Sequence, residues 1–207
     1  MSGKVVLYYF DGRGKMESIR WLLAVAGVEF EEVFLTTRAQ YEKLVNDGAL
    51  LFHQVPMVEM DGMKLVQSKA IRNYIAGKYN LYGKELKERC MYLSTAVSVL
   101  QWPPQSPDLN PVEHLWDVVE REILITDTLG TSQFLVGNQL SCADVNFFEA
   151  CLMLEEELPT ILSSFPNIQV SSIPTINKFL QPGRQRKPVP DEVHVKIVRE
   201  VLSHIYI

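Results

Sequence analysis

The sequence predicts an α/β N-terminal unit of order β-α-β-α-β-β-α, residues 1–83, followed by an all-helical half, residues 84–207. Three observations carry this reading. Up to Tyr79, short apolar runs alternate with segments whose apolar residues recur at helical spacing. Asp61-Gly62, between MVEM and MKLV, is a two-residue hairpin signal. Beyond Gly83 the patterning is that of a helix bundle.

Each element has its own signal. Val5–Phe10 reads as a buried strand, and Ile19, Leu22, Leu23 and Ala26 repeat at helical spacing before Gly27 ends the helix. Phe30–Leu35 is a second strand. Thr37 can cap a short helix carrying Tyr41, Leu44 and Val45, closed near Gly48. Val55-Pro56 precedes the hairpin, and Ser68 is placed to cap a helix with Ala70, Ile71, Tyr74, Ile75 and Tyr79 on its apolar side. A parallel pair joined by a right-handed crossover, plus an antiparallel hairpin, is the order of a thioredoxin-like domain. The first turn of its first helix, DGRGKMES, holds no cysteine, which argues against thiol–disulfide exchange. Gly12 and Gly14 lack the later glycine of a phosphate loop and read as a tight turn.

In the second half, Ser141-x-x-Asp144 is a capping box opening a helix through Val145, Phe148, Leu152 and Leu154. Pro174 starts a short helix to Leu180. Val193, Ile197, Val201 and Ile205 form a C-terminal amphipathic helix.

Composition narrows the function classes. Apolar residues make up 47% of the chain, as in a globular protein. The net charge of −5 argues against a general nucleic-acid surface, and the short basic run Arg184, Arg186, Lys187 reads as a solvated linker. No apolar run reaches the ~18–20 residues of a membrane span, and the N-terminal run is too short for a secretory leader. Cys90, Cys142 and Cys151 show neither zinc nor redox spacing, and the four histidines are scattered, so no metal is expected. A cytoplasmic location is the expectation.

LYYF, RGKMESIRWLLAVAGVEFEE, QVPMVEMDGMKLVQSKAI and NYIAGKYNLYGK together resemble a cytosolic glutathione transferase of the alpha class. The match runs almost continuously over residues 4–89. It resumes at FLVGNQLSCAD (134–144), LPTILSSFP, SIPTINKFLQPG and RKPVPDE. The resemblance implies a two-domain enzyme that adds the glutathione thiolate to apolar electrophiles, with glutathione as co-substrate and no further cofactor. A free thiol has a pKa near ~8.5, so a hydroxyl donating to the sulfur favours the reactive anion.

By resemblance Tyr9 fills that role, with Lys15 beside the sulfur as the second catalytic group. Gln54, Val55, Pro56, Gln67 and Ser68 bind the peptide: Val55 through its backbone at a cis-proline turn, Gln67 and Ser68 at a helix N-terminus. Phe10 and Gly12 border the electrophile site, under a lid made by the C-terminal helix. Two residues depart from the pattern. Lys15 stands where the class has arginine, keeping the charge and losing the planar fork. Val45 stands where a cation reaches the glycine carboxylate, so weaker glutathione binding is expected. A homodimer is also implied, with Phe52 as the apolar key entering the partner subunit.

Residues 101–122, QWPPQSPDLNPVEHLWDVVERE, break the pattern and resemble a transposase segment of the Tc1/mariner type. Glu113 matches one of three metal-binding acids there. Two-metal chemistry needs all three acids, and the strands bearing the others are missing, so nucleic-acid cleavage is not expected. As structure, Asn110 caps, Pro111 opens and Glu113 boxes a helix with Leu115, Trp116, Val119 and Ile123 as its apolar stripe. The alternative to an active transferase is a catalytically impaired glutathione-binding protein from a chimeric gene. In either case the rebuilt helices predict a weakened dimer.

Overall fold

Four short strands, Val5–Tyr9 (β1), Phe30–Phe34 (β2), Met57–Met60 (β3) and Met63–Val66 (β4), form one mixed sheet in the order β2-β1-β3-β4. The computed structural model describes residues 4–83, 134, 139–157, 187 and 191–202. β1 runs parallel to β2, with Val5 opposite Phe30 and Tyr9 opposite Phe34. It runs antiparallel to β3, with Tyr8 opposite Met57, and β3 pairs antiparallel with β4. Successive side chains alternate faces, so Tyr9 and Tyr8 leave β1 on opposite sides of the sheet.

Both outer strands of the predicted crossover stop one residue early. Phe10 leaves the ladder and is buried, while the Leu35 N–H still donates to the Tyr9 carbonyl at 2.9 Å. That last bond ties the end of β1, where the candidate catalytic tyrosine sits, to the end of β2.

The helices form for local reasons that the sequence carries. Helix α1 (Glu17–Val25) buries Ile19, Leu22 and Leu23. It closes with Gly27 N–H donating to Ala24 and Val28 N–H to Leu23, the paired bonds of a Schellman end. Helix α2 (Arg38–Asn46) starts from a reciprocal box: Thr37 accepts from the Gln40 N–H, and Gln40 accepts from the Thr37 N–H. Such a cap contributes about 1 kcal/mol. At the hairpin tip Asp61 and Gly62 have φ of 53° and 77°, the two positive values a type I′ turn requires. Helix α3 (Ser68–Lys78) follows, and its Tyr74 hydroxyl donates to Asp61 at 2.6 Å, tying the hairpin tip down.

The chain divides into two compact units, 1–75 with 179–207, and 76–178. The first unit holds the sheet and the C-terminal helix α5 (Glu192–Leu202), whose Val201 is buried with Phe10, Leu35, Tyr41, Leu50 and Met57. Arg38 donates to the Val201 carbonyl at 2.8 Å, anchoring α5 to α2. In the second unit, helix α4 (Cys142–Glu157) opens with the expected box, the Asp144 carboxylate accepting from the Ser141 N–H (2.7 Å) and hydroxyl (2.6 Å). Val145 and Phe148 are buried there. No helix among the described residues is long and apolar enough to cross a membrane. The stretch 101–122, Ile123, the helix placed at Pro174–Leu180, Ile205 and the side chain of Leu154 lie outside the described residues.

Candidate active site

The site is built where β1 ends. After Tyr9 the chain turns through Phe10–Arg13, with the Gly12 N–H donating to the Phe10 carbonyl at 2.8 Å. A 3-10 turn, Gly14–Met16, then leads into α1. Gly14 has φ of +42°, and an added Cβ would lie 2.4 Å from the Tyr9 hydroxyl oxygen and 3.1 Å from two ring carbons. Only a residue without a side chain lets the backbone pass this close to the phenol. The next residue's N–H, that of Lys15, donates to the Tyr9 hydroxyl oxygen at 3.1 Å.

Burial pushes the Tyr9 hydroxyl above its ordinary value, and the Lys15 N–H and the Arg20 charge oppose that shift. The group is therefore a neutral phenol at physiological pH. Its oxygen accepts from Lys15, which leaves its own hydrogen to donate elsewhere.

Beside it lies a cleft lined by Lys15, Gln54, Val55, Pro56, Gln67 and Ser68, residues from three separate stretches of sequence. The Val55–Pro56 peptide bond is cis. Gln67 Nε2 donates to Gln54 Oε1 at 3.0 Å, joining the two walls. Ser68 is not the cap that the sequence suggested. The helix begins at Ser68, and Gln67 holds the preceding position, accepting from the Ile71 N–H at 3.0 Å. Gln67 does so at φ of +68°, so the Ser68 N–H becomes one of the unpaired donors of a helix start.

The five peptide-site residues expected from the sequence thus share one cleft with Lys15, and Tyr9 joins it through Lys15. Phe10 is turned into the apolar cluster, its ring 5.3 Å from that of Tyr9 in an edge arrangement. Gly12 is buried and accepts from Arg20 at 2.8 Å. Val45 packs against the cluster around Tyr41.

A buried charge network behind the loop escaped the sequence reading. Arg20 donates to Glu32 (2.5 Å), to Glu17 (3.0 Å) and to the Gly12 carbonyl, and Trp21 donates to Glu17 at 3.1 Å. Glu17 and Arg20 are 1% and 7% exposed, so this is an interior pair in which loss of either partner would cost about 3–5 kcal/mol. A Glu and an Arg three apart, interleaved with the apolar stripe of α1, were the available signal.

Residues 5–77 match the model of the glutathione S-transferase N-terminal domain, and residues 112–183 that of the glutathione S-transferase C-terminal domain. Glutathione S-transferase 3 of Gallus gallus is 54% identical over 226 residues, covering 100% of this chain and 98% of that protein. Glutathione S-transferase alpha-4 of Rattus norvegicus is 53% identical, covering 98% and 100%. Among solved structures, a monomeric glutathione S-transferase of Necator americanus, Na-GST-3, superposes with a TM-score of 0.67 at 28% identity, covering 86% of this chain and 96% of that one. The chain belongs to the glutathione S-transferase family.

Proposed function

We propose that this chain conjugates glutathione to apolar electrophiles, with Tyr9 donating a hydrogen bond to the sulfur. One observation supports the reading: the Tyr9 oxygen accepts from the N–H of Lys15, a residue that lines the cleft, which leaves the Tyr9 hydrogen available to a ligand there. In the reaction the thiol proton passes to solvent, and the Tyr9 hydroxyl and Lys15 ammonium hold the resulting anion. The sulfur lone pair then forms the bond to carbon. A leaving group departs with its electron pair, or an addition product takes up a proton. Each unit by which the thiol pKa falls corresponds to about 1.4 kcal/mol of preference for the thiolate.

Binding uses backbone as much as side chains. The Val55 backbone beside Pro56 pairs with the peptide as an added strand would. The start of α3 at Ser68, with Gln67 and its partner Gln54, takes the γ-glutamyl carboxylate. Phe10, Gly12 and α5 border the electrophile. Glutathione is a co-substrate, and the mechanism calls on no other cofactor.

The glutathione-binding domain is read as ending by Gly83, the rest forming the helical domain. Residues 101–122 are read as transposon-derived sequence replacing part of that domain. The matched C-terminal domain begins at residue 112, inside this stretch, and the aligned span with the Gallus gallus relative exceeds the chain's 207 residues. The protein is further read as cytoplasmic and as forming a weakened homodimer through Phe52, which is 57% exposed. Turnover of an aryl halide with glutathione tests the function. Tyr9→Phe should slow it by one to a few orders of magnitude, the cost of losing one positioned donor, with glutathione affinity little changed. Equal rates for mutant and parent would remove Tyr9 from the mechanism.

A further inference from the structure

The loop that places the Lys15 N–H on Tyr9 is gripped from two directions. On its inner side Arg20 donates to the Gly12 carbonyl. On its outer side stands Lys187, distant in sequence, whose ammonium meets Asp11 at 2.9 Å and Glu32 at 3.2 Å. The same ammonium lies 4.3 Å from the centre of the Phe34 ring, and Phe34 is the strand neighbour of Tyr9. The Lys187 carbonyl in turn accepts from the Arg13 side chain. One residue therefore holds both Asp11 and Arg13, the two charged positions of the loop, and does so from above the end of β2.

We propose that Lys187 is a positioning residue for the transferase reaction: it locks the Asp11–Gly14 loop so that Gly14 and the Lys15 N–H keep the Tyr9 hydroxyl aimed at the glutathione sulfur. The inference rests on the assignment of Tyr9 as the sulfur's donor. The charges around Lys187 explain why a cation is needed. Asp11 and Glu32 face it as carboxylates, with Arg13 at its carbonyl, while Arg20 and Glu17 lie on the far side of Glu32. Without the Lys187 ammonium, Glu32 keeps Arg20 and Arg13 keeps the carbonyl of residue 187, but Asp11 loses its ion-pair partner among the described residues, and with it the side-chain half of the outer grip. Lys187 is 77% buried at its side chain, so the contact is partly shielded from salt.

The test compares Lys187→Met, Lys187→Arg and Asp11→Asn with the parent. The readouts are steady-state conjugation of an aryl halide across pH, glutathione affinity by calorimetry, and thermal unfolding. Lys187→Met should lower the rate at about pH 6.5 by roughly ten-fold, within the hundred-fold that an ångström of misplacement can cost. A ten-fold loss of thiolate stabilisation moves the acid limb of kcat/KM up by about one pH unit. Glutathione affinity should stay within about two-fold, because the cleft does not include Lys187. Lys187→Arg should recover most of the rate, and adding Asp11→Asn to Lys187→Met should cost little more, since both act through one contact.

Parent-like rates and pH limbs in Lys187→Met and Asp11→Asn would overturn the assignment. So would a loss of rate and affinity together with no shift of the limb. Should Lys187→Met fail to fold, Asp11→Asn decides on the same criteria. A parent without Tyr9-dependent turnover overturns the Tyr9 reading and this one with it; Tyr9-dependent turnover indifferent to Lys187→Met and Asp11→Asn overturns this one alone.

Discussion

Gly14→Ala is the sharpest perturbation of the site that leaves every putting-together of charge intact. The new methyl would stand 2.4 Å from the Tyr9 hydroxyl oxygen and 3.1 Å from Cε1 and Cζ. Unstrained contacts begin near ~3.5 Å, so the phenol must retreat by about 1 Å. It can do so because its hydroxyl is the far end of a side chain, not backbone. The backbone at φ of +42° adds about 1–2 kcal/mol of strain for any residue with a Cβ. The stability loss is therefore modest, whereas an ångström of displacement at the sulfur's donor can cost about 100-fold in rate, or about 2.7 kcal/mol of barrier. Steady-state conjugation and thermal unfolding of the same preparation separate the two effects. Specific activity should fall far more than the melting temperature implies. A folded Gly14→Ala protein with parent-like kcat/KM would refute the idea that this close approach sets the hydroxyl.

Two further outcomes follow from residues that depart from the family pattern or stand exposed. Arginine at both Lys15 and Val45 should tighten glutathione binding by roughly 1–3 kcal/mol at best, through charge-assisted contacts; calorimetry with unchanged affinity would mean these positions do not reach the peptide. Leu51 and Phe52 are 73% and 57% exposed, an apolar pair at a turn. Sedimentation at micromolar concentration should find a weak monomer–dimer equilibrium. A tight dimer that Phe52→Ala dissociates would contradict it, because a well-fitted aromatic anchor contributes roughly 2–4 kcal/mol.

The parts of the fold legible in the sequence are those whose chemistry is local. Asp61-Gly62 specifies its turn through two residues that tolerate positive φ, and Thr37 with Gln40 carries a cap within four positions. Ser68 misled because its neighbour Gln67 adopts φ of +68°, a conformation a glutamine does not announce. Gly14 was visible as a turn residue, but its approach to Tyr9 arises only when the loop folds back over the end of β1. Glu17 and Arg20 have the spacing of an ordinary surface pair, and only the sheet's Glu32 makes them interior. Lys187 meets Asp11 across 176 positions, a separation no periodicity spans, and its basic run reads as solvated until the ring of Phe34 and two carboxylates close on it.

The central claim is that the Tyr9 hydroxyl makes the bound thiol more acidic, and the ultraviolet absorbance of the thiolate measures this without any electrophile. Titrating the protein–glutathione complex with pH should place the bound thiol at least one unit below the ~8.5 of a free thiol. In Tyr9→Phe the value should return toward that of the free thiol while glutathione still binds. A bound thiol that ionises at the same pH in both proteins would contradict the account.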